Sequence, residues 1–128
     1  MKQLCPPGWR RPKGYSNAMA AKGRMVFTAG VVGWNDEERF AETTLAGQFA
    51  QALRNVVAIL ACDGAAPTNI ARLTCYVTSI EEYRASLKEI GAAFREIMGN
   101  HYPAMALVEV KGLLDDEAKV EIEAMALL

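Results

Sequence analysis

A single histidine, His101, stands in a chain of 128 residues. Sites that need several imidazoles, such as a multi-histidine zinc centre or a relay between histidines, are therefore excluded within one copy. The three cysteines, Cys5, Cys62 and Cys75, are odd in number and have no CxxC spacing. That pattern argues against a disulfide framework and against a thiolate metal site, and for reduced thiols in a cytoplasmic protein. No apolar run approaches the roughly 20 residues of a membrane span. The opening Met1-Lys2-Gln3-Leu4-Cys5-Pro6-Pro7-Gly8 is too broken by proline and glycine for a signal peptide. With 14 Lys plus Arg against 15 Asp plus Glu, the net charge is −1 and there is no global basic field. Nucleic acid is accordingly disfavoured as a partner. Nothing has the pattern of a nucleophile elbow around a serine.

What is present is apolar substance, 52% of the residues, enough for one core and one domain spanning 1–128. Residues 1–16 read as an irregular arm carrying Trp9, Arg10, Arg11 and Lys13. Asn17–Ala21 and Met25–Gly30 flank Lys22-Gly23-Arg24 as a β-hairpin would, and the second of these strands reads as buried on both faces apart from Thr28. From Thr44 to Asp63, Leu45, Phe49, Leu53, Val56 and Leu60 recur at helical spacing, with Thr43 or Thr44 as cap and Gly64 as stop. Ile70–Thr78 alternates as a strand. Ser79-Ile80-Glu81-Glu82 is a capping box opening a second helix whose stripe runs Tyr83, Leu87, Ile90, Phe94, Ile97 and Met98. Strands are predicted again over Tyr102–Val110 and Lys119–Ala126, separated by a loop with the acidic run Asp115-Asp116-Glu117.

The order strand pair, helix, strand, helix, strand pair predicts an α+β fold, a mixed sheet with both helices on one face. The other face then lacks cover within the chain, and an oligomer that buries it is expected. The stretch His101-Tyr102-Pro103-Ala104-Met105-Ala106-Leu107-Val108-Glu109-Val110 is the most informative. Pro103 suits a strand entry. Strand parity then separates Ala104, Ala106, Val108 and Val110, which read as a packed face, from Met105, Leu107 and Glu109. The latter mix a thioether, an apolar side chain and a carboxylate, and read as a surface that meets another chain or lines a cleft.

These residues resemble the Rid family, also called YjgF/YER057c/UK114 or endoribonuclease L-PSP. The resemblance covers nearly the whole chain. It rests on Gly14-Tyr15-Ser16-Asn17-Ala18, Phe27-Thr28-Ala29-Gly30, Leu53 to Asn55, Pro103-Ala104 before Val108-Glu109-Val110, and Val120-Glu121-Ile122-Glu123-Ala124. It implies a chorismate-mutase-like fold and a homotrimer with three ligand clefts between subunits. For the best-known branch it also implies hydrolysis of enamines and imines such as 2-aminoacrylate, with neither metal nor cofactor. In that branch Pro-Ala-Arg-Ser places an arginine that clamps the substrate carboxylate, a task suited to a planar, permanently charged fork. Here the position is Met105, which carries no charge and donates no hydrogen bond.

By the same resemblance Glu121 positions the attacking water, chemistry open to a carboxylate, and Tyr15 is the tyrosine of the cleft. Gly30 and Pro103 belong to its lining. Ala29, Val31, Lys88 and Ala106 stand where serine, glutamine, asparagine and a Ser, Thr or Cys are common, so the pocket reads as less polar than in the imine deaminases. The expected function is a Rid-type hydrolase acting on a small imine, enamine or related metabolite. The rivals are a non-catalytic trimer that binds a small molecule or a protein, and an endoribonuclease. Among other residues, Glu109 reads as a salt-bridge partner, His101 as a surface residue and Cys75 as core. Arg10, Arg11 and Lys13 read as a solvated arm, or as one cation reaching the cleft to replace the lost charge.

Overall fold

The computed structural model describes residues 1–128. In chain order the elements are β1 (Lys2–Leu4), β2 (Ala18–Ala20), β3 (Met25–Phe27), β4 (Val31–Val32), α1 (Leu45–Ala61), β5 (Ile70–Val77), α2 (Ile80–Ala85), α3 (Leu87–Met98), β6 (Ala104–Glu109) and β7 (Val120–Leu127). The expected α+β fold is the one observed. A mixed sheet runs β3-β7-β5-β6, with β4 also paired to β7, and the helices cover one face of it. β7 is antiparallel to β3, β4 and β5, whereas β6 lies parallel to β5 at an edge.

Local chemistry accounts for the helices. The Thr44 hydroxyl accepts from the Gly47 N–H at 3.0 Å and starts α1. Leu45, Phe49, Leu53, Val56 and Leu60 of that helix are buried on the sheet, each adding about 1.5–3 kcal/mol by leaving water. Ser79 caps α2 through the Glu82 N–H at 3.0 Å. The single second helix expected from the pattern is broken at Ser86, whose backbone leaves helical values at φ −110, ψ 10 and whose hydroxyl donates to the Glu82 carbonyl at 2.9 Å. Such local hydrogen bonding is how serine competes with helix continuation. In β7, Val120, Ile122, Ala124 and Ala126 face the helices, and Glu121, Glu123, Met125 and Leu127 face away.

Three sequence expectations are corrected. Ala18–Ala20 pairs with Lys2–Leu4, so the arm contributes a strand, and no hairpin ladder joins Asn17–Ala21 to Met25–Gly30. β3 is instead an edge strand on β7, where the Arg24 and Leu128 backbones exchange hydrogen bonds at 2.7 and 2.9 Å. Its Met25 and Phe27, expected to be buried, are 58% and 62% exposed, because in one copy nothing covers that side of the sheet. In β6 the row expected to be packed is the open one, whereas Met105 does line a cavity as expected. The register sets Met105 against Leu73 and Leu107 against Cys75, and both neighbours belong to the core row of β5. Met105 and Leu107 therefore pack toward the helices, and Ala104, Ala106 and Val108 lie on the open face.

Candidate functional site

Glu121 sits on the open face beside a bulge. Phe27 pairs with Met125 and Val31 with Ile122, so Thr28, Ala29 and Gly30 stand opposite only Glu123 and Ala124, one residue more than the ladder accommodates. Thr28 pins the bulge. Its hydroxyl accepts from the Ala124 N–H at 3.0 Å and donates to the Ala29 carbonyl at 2.8 Å. The bulge brings the Gly30 backbone against the carboxylate: a Cβ at this position would lie 2.7 Å from Glu121 Cδ and 2.8 Å from Oε2. The site therefore needs glycine for space rather than for φ. On the same face the Tyr76 hydroxyl donates to Glu123 Oε1 at 2.7 Å. That hydrogen bond is the main cause that raises Tyr76 above the usual phenol range; the charges of Glu123 and Glu121 add to it and Arg72 opposes it.

On the other face, a cavity of about 320 Å³ opens between the arm, α2, α3 and the start of β6. The arm is tied down by Ser16, which is buried, hydrogen-bonds through its hydroxyl to the Tyr102 carbonyl, and donates its N–H to the Pro103 carbonyl at 3.0 Å. These bonds hold Tyr15 at the cavity beside Met105. Phe94 and Tyr102 stack with centroids 5.6 Å apart and planes 11° apart, forming one wall. Tyr83 meets Phe49 at 6.3 Å, and burial raises its phenol above the ordinary range, with a smaller contribution from Cys75. The charged lining residues are Lys13 and Arg95.

Tyr15 and Met105 are thus brought together, but Glu121, Ala29 and Gly30 lie across the sheet from them. Pro103 is fully buried at the strand entry and Val31 belongs to the core, so neither side chain is free to meet a ligand. Lys88 is exposed on α3, outside the cavity lining. Ala106 lies opposite Thr74 on the open face. His101, expected at the surface, is half-buried with Nε2 2.6 Å from the Ile70 carbonyl. Glu109 accepts from the Ile80 N–H at 2.9 Å and caps α2 rather than forming a salt bridge. Arg95 went unnoticed in the sequence, although Gly91 and Arg95 at i and i+4 share a helix face with the apolar stripe.

No group of three or more His, Cys, Asp or Glu side chains converges as metal ligands would. A wider, more polar hollow of about 500 Å³ lies under the loop 111–119 and contains none of the candidate residues. Beside it Gln48 is buried. Its amide donates to the Glu42 and Glu117 carbonyls at 3.1 and 2.9 Å, and its oxygen accepts from the Lys119 N–H at 2.7 Å. Its work is to hold that loop on α1. No helix is long and apolar enough to cross a membrane.

The family model for endoribonuclease L-PSP matches residues 10–128. The chain belongs to the Rid family. It is 30% identical over 107 residues to the 2-iminobutanoate/2-iminopropanoate deaminase of Escherichia coli K12, covering 81% of this chain and 80% of that one. Among solved structures it is similar to the Yersinia pestis Rid family protein YyfB, a protein of unknown function, with a TM-score of 0.87, 30% identity and coverage of 99% and 98%. It is also similar to E. coli TdcF, solved with bound serine, with a TM-score of 0.72, 26% identity and coverage of 100% and 99%. The Rid fold and family expected from the motifs are thereby established.

Proposed function

We propose that this protein is a Rid-type hydrolase that converts a small imine or enamine to the carbonyl compound and ammonia in a cleft completed by a second copy of the chain. The observation that carries the reading is the Glu121 carboxylate seated against the side-chain-free Gly30 at the bulge, in a family whose relatives include a named imine deaminase. Glu121 accepts a proton from water as the oxygen attacks the C=N carbon. The tetrahedral carbinolamine then collapses. Glu121 gives the water's proton to the nitrogen, and the carbinol hydroxyl's proton follows it as the C–N bond breaks and C=O forms, so ammonia leaves and the sum is imine plus water to carbonyl plus ammonia. An enamine enters by tautomerising to the imine. Tyr15 orients the ligand and Met105 forms an apolar wall.

Within one chain the Tyr15–Met105 half and the Glu121 half lie on opposite faces of the sheet, so one copy cannot present both to the same small molecule. The open face, with Met25, Phe27 and Val108 exposed, has the apolar character that association would bury, and a homotrimer in which one copy's cavity meets the next copy's Glu121 satisfies both facts. The test generates 2-iminopropanoate or 2-iminobutanoate in situ with a dehydratase and follows ammonia release. Wild type is expected to exceed the blank, and Glu121→Gln to fall to it with an unchanged fold. Equal rates for Glu121→Gln and wild type would overturn the role of Glu121, and a wild type no faster than blank on these and on bulkier imino acids would overturn the hydrolase.

A further inference from the structure

The cavity beside Met105 combines two features that belong together only for one kind of ligand. Its walls are apolar and aromatic, from Tyr15, Tyr83, Leu87, Ile90, Phe94 and Met105. Its charged members, Lys13 and Arg95, are both cations, and neither takes part in any of the chain's four ion pairs. Gly91 explains how Arg95 comes to lie there. A Cβ on Gly91 would stand 3.6 Å from Arg95 Nη1, so the guanidinium lies back along α3 over the glycine, one turn earlier. A glycine in a helix interior costs about 1 kcal/mol relative to alanine. Here it leaves the cavity floor open under a forked donor.

We propose that Arg95, assisted by Lys13, holds the carboxylate that position 105 cannot, and that the ligand is a 2-imino or 2-oxo acid with a bulky apolar or aromatic side chain. This rests on the hydrolase reading for the cleft and names its substrate class. Planar bidentate capture of a carboxylate is what guanidinium does best, and the second cation adds field at the mouth. Moving the charge from the strand to the helix frees the wall at Met105 for apolar contact. The volume of about 320 Å³ falls at the low end of the ligand-pocket range of roughly 300–1,000 Å³, larger than a three-carbon acid needs.

Calorimetric titration separates this from the hydrolase question because it reads binding and not turnover. The probes are phenylpyruvate, pyruvate and the neutral ketone phenylacetone. Phenylpyruvate is expected to bind at least about tenfold tighter than either of the others, with affinity falling as salt rises. Arg95→Gln should weaken phenylpyruvate about tenfold or more, Arg95→Lys less, Lys13→Gln by a smaller factor, and Arg39→Gln, at a residue that pairs with Glu37 and is not part of the cavity lining, not at all. Equal affinity for phenylpyruvate and phenylacetone, an Arg95→Gln protein that binds like wild type, or no binding of phenylpyruvate would each overturn the assignment. Hydrolysis of small imines by a protein that fails these titrations would leave the role of Glu121 standing and remove only the substrate class.

Discussion

Gly30→Ala probes the closest contact of the candidate site. The added Cβ would lie 2.7 Å from Glu121 Cδ and 2.8 Å from Oε2, and ordinary carbon contacts begin near 3.4 Å, so the carboxylate must retreat by about 0.7 Å. The three atoms nearest that Cβ all belong to the Glu121 side chain. Gly30 is absent from the residues with positive φ, so alanine fits the backbone, and a surface carboxylate swings cheaply. The stability change is therefore expected within about 1 kcal/mol, the gain from a less flexible unfolded chain roughly offsetting the push. Catalysis is less forgiving: displacing a reacting group by ~1 Å costs about 100-fold, so a loss of about 10- to 100-fold in kcat is expected. KM should change little, because the binding groups lie elsewhere. The assay is ammonia release at saturating imine, paired with thermal unfolding. An unchanged kcat would refute the argument that Gly30 positions Glu121, and a collapse of Tm would mean that the methyl meets something other than a movable side chain.

Other perturbations have equally definite outcomes. Burial pushes the Cys75 thiol from 9.0 to about 12. Below pH 9 it is protonated in both states. Between about 9 and 12 the unfolded chain loses this proton and the folded one keeps it, so stability should fall as pH rises, by up to about 1.4 kcal/mol per unit from this group; Cys75→Ala should lack that component in urea titrations. At pH 8 a thiol reagent should label the exposed Cys5 and Cys62 quickly and Cys75 only on unfolding. Gln48→Leu removes a buried amide from three backbone partners and should cost about 2–3 kcal/mol, read as a lowered urea midpoint. Met105→Arg should raise kcat/KM on 2-iminopropanoate at least about tenfold and lower Tm by a few degrees, since a third cation joins Lys13 and Arg95; an unchanged kcat/KM would remove position 105 from the substrate's surroundings.

Much of the fold was legible in the sequence because its signals are local. Thr44, Ser79 and the stripe from Leu45 to Leu60 mark helices through capping and periodicity, and β7 alternates cleanly between core and open face. What stayed hidden depends on partners distant in sequence. Strand parity separates Met105 from Ala106, but which of them faces the helices is decided by register against Leu73 and Cys75, and alanines hide the answer because they suit either side. Met25 and Phe27 read as core because they are apolar, although nothing within the chain covers them. The motifs around Tyr15, Pro103 and Glu121 named the family. The cavity cations were harder, since Arg95 looks like any helix-surface arginine until Gly91 is seen beneath it.

The central claim is that the site is shared between copies, and subunit mixing tests it most directly. Tyr15→Ala damages the cavity half and Glu121→Gln the carboxylate half. Unfolded together at equal amounts and refolded, the two chains assort at random into closed assemblies in which each cleft joins one copy's cavity to its neighbour's carboxylate. About a quarter of the clefts then combine an intact cavity with an intact Glu121. The account predicts ammonia release near a quarter of wild type from the mixture, well above the mean of the two parents refolded alone. A mixture no more active than that mean would contradict it.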